Sequence, residues 1–135
     1  MKHFTQAELA CKHCGVFNLH SGFGEELDAL REAFGQPMVV RSGCRCKEHN
    51  DRPAAEGGAG GHPLSLHICD HPAHADKGQQ GALAIDIATP DGPYRGRLFT
   101  IAWTRGWSVG WNAKLRFLHL DRRDWLRMPQ TSFDY

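Results

Sequence analysis

A carboxylate stands in the middle of an apolar run: Leu83-Ala84-Ile85-Asp86-Ile87 reads as a buried strand, yet it carries Asp86 at its centre. An unpaired charge there is costly, so the fold has to give Asp86 a partner. Phe117-Leu118-His119-Leu120-Asp121 repeats the anomaly, with an imidazole inside a short hydrophobic strand and a carboxylate two residues on. Successive strand residues point to opposite faces, so His119 and Asp121 share one face while Leu118 and Leu120 share the other. Laid side by side, the two strands place Asp86, His119 and Asp121 in one cleft. A third neutral nitrogen ligand would complete a catalytic zinc site with three protein ligands and one open position.

That nitrogen has to come from the His-rich stretch His62-Pro63-Leu64-Ser65-Leu66-His67-Ile68-Cys69-Asp70-His71-Pro72-Ala73-His74. Composition alone does not choose among its four histidines. Nine histidines in 135 residues is a high count, and it favours metal chemistry. The charge balance, 16 basic against 15 acidic residues, suggests neither a nucleic-acid face nor a membrane-binding strip. No stretch approaches the roughly 20 apolar residues of a membrane span, and Met1-Lys2-His3-Phe4 lacks the apolar core of a signal peptide. Synthesis in the cytoplasm is the expectation, with no nucleic-acid or membrane partner and a monomeric state.

The rest of the chain arranges itself around these strands. Thr5 and Glu8 form a capping box that starts a short helix, which should end between Cys11 and Gly15. Leu27, Leu30, Ala33 and Phe34 follow helical spacing within Gly24 to Phe34, and Gly35 with Pro37 supplies the stop. Met38 to Ser42 reads as a strand feeding the loop Gly43 to Asn50, while Asp51 to Gly81 lacks sustained periodicity. After the turn Thr89 to Gly92, Tyr94 to Arg105 reads as a helix stopped by Gly106, and Trp107 to Trp111 as a strand forming a hairpin with Phe117 to Asp121. These elements make an α+β fold: a small, mainly antiparallel sheet with helices packed on one side and a long ligand-bearing loop on the other. One domain spanning residues 1–135 is all that this length allows.

Four ordered pieces carry a family resemblance: Ser42-Gly43-x-Arg45-Cys46-x-Glu48-His49-Asn50, Ser65-x-His67, Ala84-x-Asp86 and His119-x-Asp121. In this order they resemble the zinc peptidases of family M15, the D-alanyl-D-alanine carboxypeptidases and related endolysins that act on bacterial cell-wall peptides. The resemblance runs from Phe4 to about Arg123. It implies that His67, Asp86 and His119 hold Zn2+, and that Arg45 holds the scissile carbonyl oxygen or the substrate carboxylate. It also implies a peptidoglycan peptide as substrate and the cell wall as the place of action. Without a signal peptide or wall-binding segment in the sequence, a phage-type lytic enzyme fits better than a resident periplasmic one.

The chain also departs from the family pattern. His67 and Asp86 lie 19 residues apart with Cys69 to Gln80 inserted between them, where the family has only a few. Ser65-x-His67 matches the family context and makes His67 the ligand, with His74 and then His71 as substitutes. Many members place an acidic general base three residues before the last histidine, where this chain has Arg116. Asp121 is the remaining carboxylate on the His119 face, as catalytic base or as a partner that orients a ligand. Cys11-x-x-Cys14 and Cys44-x-Cys46 could together form a structural zinc knot, leaving Cys69 free. The tryptophans are assigned mostly to the core, with Trp111 able to line a substrate groove.

Overall fold

The computed structural model describes residues 1–134, the side chain of Ala73 excepted. Its strands β1 (Val40–Ser42), β2 (Ala84–Ala88), β3 (Ser108–Asn112), β4 (Phe117–Asp121) and β5 (Ser132–Asp134) form one sheet in the order β1-β2-β4-β3-β5. Neighbours run antiparallel except β3 and β5, which pair in parallel. The architecture is α+β, with a mainly antiparallel sheet as the alternating patterns predict.

The β2–β4 register decides what each face carries. Ile85 stands opposite Leu120 and Ile87 opposite Leu118, so these four side chains share the face that meets the helices. There they pack with Val109 and Trp107 against Leu27, Leu30 and Phe34 of α2 (Phe23–Phe34) and against Leu98 and Ala102 of α5 (Gly92–Thr104). All are fully buried, each contributing roughly 1.5–3 kcal/mol of transfer free energy for the larger aliphatic and aromatic side chains. The intervening pairs, Asp86 with His119 and Ala84 with Asp121, are left on the opposite face.

Local signals account for the helix ends. The capping box forms as read: Glu8 N–H donates to Thr5 Oγ1 at 3.1 Å and Thr5 N–H to Glu8 Oε2 at 2.9 Å, opening the short α1 (Gln6–Leu9). Gly35, in the left-handed region at φ +75°, ends α2. α5 begins two residues earlier than periodicity indicates, because Asp91 caps the Tyr94 N–H at 2.8 Å and Pro93 fits the first turn.

Three short elements have no periodic signature: α3 (Lys47–Asp51), α4 (Pro72–Ala75) and β5. Segments this short are not stable alone and form because tertiary contacts hold them. The tryptophans also divide differently from the expectation. Trp107 is buried, but Trp103 and Trp111 are 37% and 43% exposed. Trp111 pairs with Leu118 and lies against Phe99 of α5, on the helix side and away from His119.

The insertion Cys69 to Gln80 is an out-and-back excursion pinned at its base. The buried Gln79 amide donates among the carbonyls of Leu66, Ile68 and Gly81 at 2.8–3.1 Å, and its Oε1 meets His74 Nδ1 at 2.9 Å. Arg45 and Ile68 form a bridge on one side of the excursion, and Leu19 and Ala82 on the other. The segment therefore leaves the fold after Ile68 and rejoins it at Ala82, with both ends held by hydrogen bonds. Gln79→Leu should destabilise the protein by about 2 kcal/mol, since it strands buried carbonyls. Chemical denaturation with unchanged stability would show that the excursion is held by other contacts.

Candidate metal centre

β2 and β4 bring Asp86 and His119 face to face as a directly paired position, and the loop after β1 supports the third member. His67 Nδ1 lies 2.7 Å from the Gly43 carbonyl, so that nitrogen carries the proton and Nε2 presents its lone pair inward. His119 is polarised the other way: Nε2 donates to Asp121 Oδ2 at 2.7 Å, which turns Nδ1 inward. His67 Nε2, Asp86 Oδ1 and His119 Nδ1 form a triangle with sides of 3.1, 3.2 and 3.1 Å, and all three residues are buried.

Those distances test the fit of a metal. Bonds of roughly 2.0–2.1 Å in a tetrahedral zinc site put neighbouring ligand atoms about 3.3 Å apart. The triangle matches within about 0.2 Å, the tolerance for a metal site. Two imidazoles and one carboxylate also suit zinc better than magnesium or calcium, which favour all-oxygen sets.

The Peptidase M15 family model matches residues 2–121. The chain belongs to the peptidase M15 family. No curated protein and no solved structure matches it significantly. The M15 assignment makes the chain a metallopeptidase by family, and the His67-Asp86-His119 cluster is the group beside the cleft able to hold a metal.

Around the M15 centre the charges are arranged to keep Asp86 ionised. Burial works against its charge, but His67 and His119 outweigh burial and hold its carboxyl well below the usual range. Arg45 adds an ion pair, donating from Nη2 to Asp86 Oδ2 at 3.0 Å. Burial pushes His67 down despite the nearby Asp86. Burial also acts to lower His119, yet its hydrogen bonds to Asp121 and Asp86 prevail and lift it to about 9.

Arg45 is fixed by further bonds from Nε to Ser42 Oγ at 2.9 Å and from Nη1 to Asn50 Oδ1 at 3.3 Å. This explains three residues of the Ser42-to-Asn50 motif by one side chain. Asp121 is fully buried, its Oδ2 shared between His119 and Arg123 Nη2, and its Oδ1 between the Arg123 N–H and Nε. Burial raises its pKa, but these hydrogen bonds overcome it and hold Asp121 at about 2.

Asp86 and His119 line a cleft of about 850 Å3 between the loop Ala59 to Leu66 and the sheet, with His67 buried behind them. Phe133 of β5 closes one end: its ring lies 5.6 Å from that of His119, over Gly110, where a Cβ would come within 2.4 Å of it. This strand was not legible in the sequence, because Ser132-Phe133-Asp134 is too short to show a pattern.

The other histidines go elsewhere. His74 is buried against Gln79 inside the excursion, and His71 packs beside it. His62 lines the cleft, its Nδ1 accepting the Leu64 N–H at 3.0 Å, and is outside the buried triangle. Arg116 occupies the exposed β3–β4 turn at φ +55° and does not line the cleft.

Two predictions follow from this layout. His67→Ala should abolish zinc binding at the cleft while His74→Ala keeps it, as metal analysis would show; the reverse pattern would move the ligand into the excursion. Asp121→Asn should weaken zinc affinity by roughly 10–100-fold, since it disturbs the partner that orients His119. Competition with a chelator measures this, and an unchanged affinity would free Asp121 for a different role.

Proposed function

We propose that the protein is a zinc-dependent peptidase that hydrolyses peptidoglycan stem peptides, as a D,D-carboxypeptidase or an endolysin-type endopeptidase, with the cell wall as its place of action. The observation that carries this reading is the buried His67-Asp86-His119 triangle, whose Asp86 and His119 line an open cleft together with Arg45. The ordered motifs shared with wall-lytic members of the family support the substrate class. The cleft also suits a peptide: Leu64, Leu115 and Met128 stand exposed at its walls, offering apolar contact around a polar floor.

When bound, zinc supplies Lewis-acid polarisation of a peptide carbonyl and makes water more acidic. The chain's own residues do the rest. The Gly43 carbonyl and Asp121 hold the outer ring nitrogens of His67 and His119, so that each ring turns its other nitrogen inward; the inward proton that Asp86 and Asp121 otherwise keep on His119 would be displaced on metal binding. Asp121 is here a positioning residue, and its low pKa keeps it an acceptor. Arg45, anchored on three sides, keeps a cation beside Asp86 where a carbonyl oxygen or terminal carboxylate can be held without reorganisation.

A second reading is a non-catalytic metal-containing module of the same fold. One observation favours it: Asp86 and Asp121 are the only carboxylates lining the cleft among the described residues, and both are engaged in ion pairs. Incubation with purified peptidoglycan, with and without a chelator, separates the readings by the mass of released fragments. Chelator-sensitive peptide fragments are expected, and their absence would favour the module. Arg45→Lys should keep the metal yet lower the hydrolysis rate by about a hundredfold, because a point charge does not replace a planar fork. Near-normal turnover in that variant would leave Arg45 a purely structural role.

A further inference from the structure

A second group of metal-ligating side chains lies outside the cleft. Cys11, Cys14 and Cys46 bring their sulfurs within 4.8 Å of one another, and none of the five cysteines is in a disulfide. The pairing differs from the four-cysteine knot read from the sequence. Cys44, one residue before Arg45, turns into a separate small cluster with Cys69 and Ala82.

The backbone around the three sulfurs is shaped for a ligand. Cys11-x-x-Cys14-Gly15 closes into a tight loop through the Gly15 N–H to Cys11 carbonyl bond at 2.8 Å and the Cys11 N–H to Val16 carbonyl bond at 2.8 Å. Gly15 sits at φ +79°, a conformation that this turn requires. Amide protons point at the sulfurs: Cys46 N–H donates to Cys11 Sγ at 3.3 Å and His49 N–H to Cys46 Sγ at 3.4 Å. Such donors stabilise thiolates, the form that binds metal. His13 Nδ1 lies 3.4 Å from Cys46 Sγ, close to the separation of about 3.5 Å between nitrogen and sulfur on one tetrahedral zinc, but it stands outside the three-sulfur group, so its ring has to turn inward to complete the set.

We propose that Cys11, Cys14 and Cys46, with His13 as fourth ligand, hold a second, structural zinc ion. A closed set of three thiolates and one imidazole leaves no open position and suits a structural rather than a catalytic ion. The ion joins the loop after α1 to the N-terminus of α3, where Cys46 is the capping residue directly after Arg45. Its effect is to brace the backbone from which Arg45 reaches Asp86, so that a loop with little apolar burial holds a cleft residue in place.

Metal analysis of the full chain purified under reducing conditions tests this, and it reads the two sites independently. The intact protein should carry two zinc ions; His119→Ala and Cys14→Ser should each carry one. Cobalt substitution adds a signature for sulfur ligation: thiolate-to-cobalt charge-transfer absorption should persist in His119→Ala and vanish in Cys14→Ser. If Cys14→Ser does not fold, the cobalt spectrum of His119→Ala decides alone. A single zinc in the intact protein that disappears with His119→Ala, a cobalt spectrum without charge transfer, or a Cys11–Cys14 disulfide in the reduced preparation would each overturn the proposal. Loss of peptidase activity alone bears only on the cleft.

Discussion

The structure depends on how one buried carboxylate is neutralised. Asp86 sits at the centre of β2 with 4% of its surface exposed, and it is tolerable there because Arg45, His67 and His119 meet it from three directions. Each of those partners comes from a different part of the chain: the loop after β1, the edge of the inserted excursion, and β4. Neutralising Asp86 therefore ties together segments separated by up to 41 residues on the N-terminal side and 33 on the C-terminal side. A buried ion pair adds little net stability, since desolvation offsets most of the attraction. What it does here is geometric, since the charge is met where these three segments converge.

The antiparallel register makes that arrangement possible. Side chains alternate between faces, so a strand can commit Ile85 and Ile87 to the core while giving Asp86 to the cleft, and β4 does the same with Leu118, His119 and Leu120. A slip of one residue would send the ionisable groups into the helices and the leucines into the cleft. The hydrophobic packing of α2 and α5 on one face thus fixes the chemistry on the other. Outside this layer, each inward nitrogen is set by an acceptor on its far side, the Gly43 carbonyl for His67 and Asp121 for His119. These acceptors choose which lone pairs meet in the triangle.

The inserted segment shows how a local irregularity is absorbed. Gln79 bonds across the base of the excursion to the carbonyls of Leu66, Ile68 and Gly81, so the segment between His67 and Asp86 begins and ends at points tied to one another. Excursions that begin and end at hydrogen-bonded points cost mainly loop-closure entropy, which grows slowly with length. The same economy applies to the N-terminal loop, where sulfurs from Cys11, Cys14 and Cys46 gather in place of an apolar cluster.

Much of the fold was legible because periodicity reports burial. The alternating runs of β2, β3 and β4, the spacing of Leu27, Leu30 and Phe34, and the Thr5–Glu8 box each encode a local preference that the structure keeps. Asp86 and His119 were legible for the opposite reason: each contradicts the apolar run around it, and such a contradiction has few physical resolutions. Composition could not separate His67 from His62, His71 and His74, and the resemblance chose among them only through the serine two residues before. Tertiary structure decided the rest. The direction of each imidazole, the engagement of Asp121 with Arg123, the pairing of Cys46 rather than Cys44 with Cys11 and Cys14, and the placing of Phe133 over Gly110 all depend on contacts between distant segments. A sequence determines through local periodicity which residues are buried and on which face of a strand they lie; which buried groups meet is a matter of chain closure in three dimensions, and no local pattern carries it.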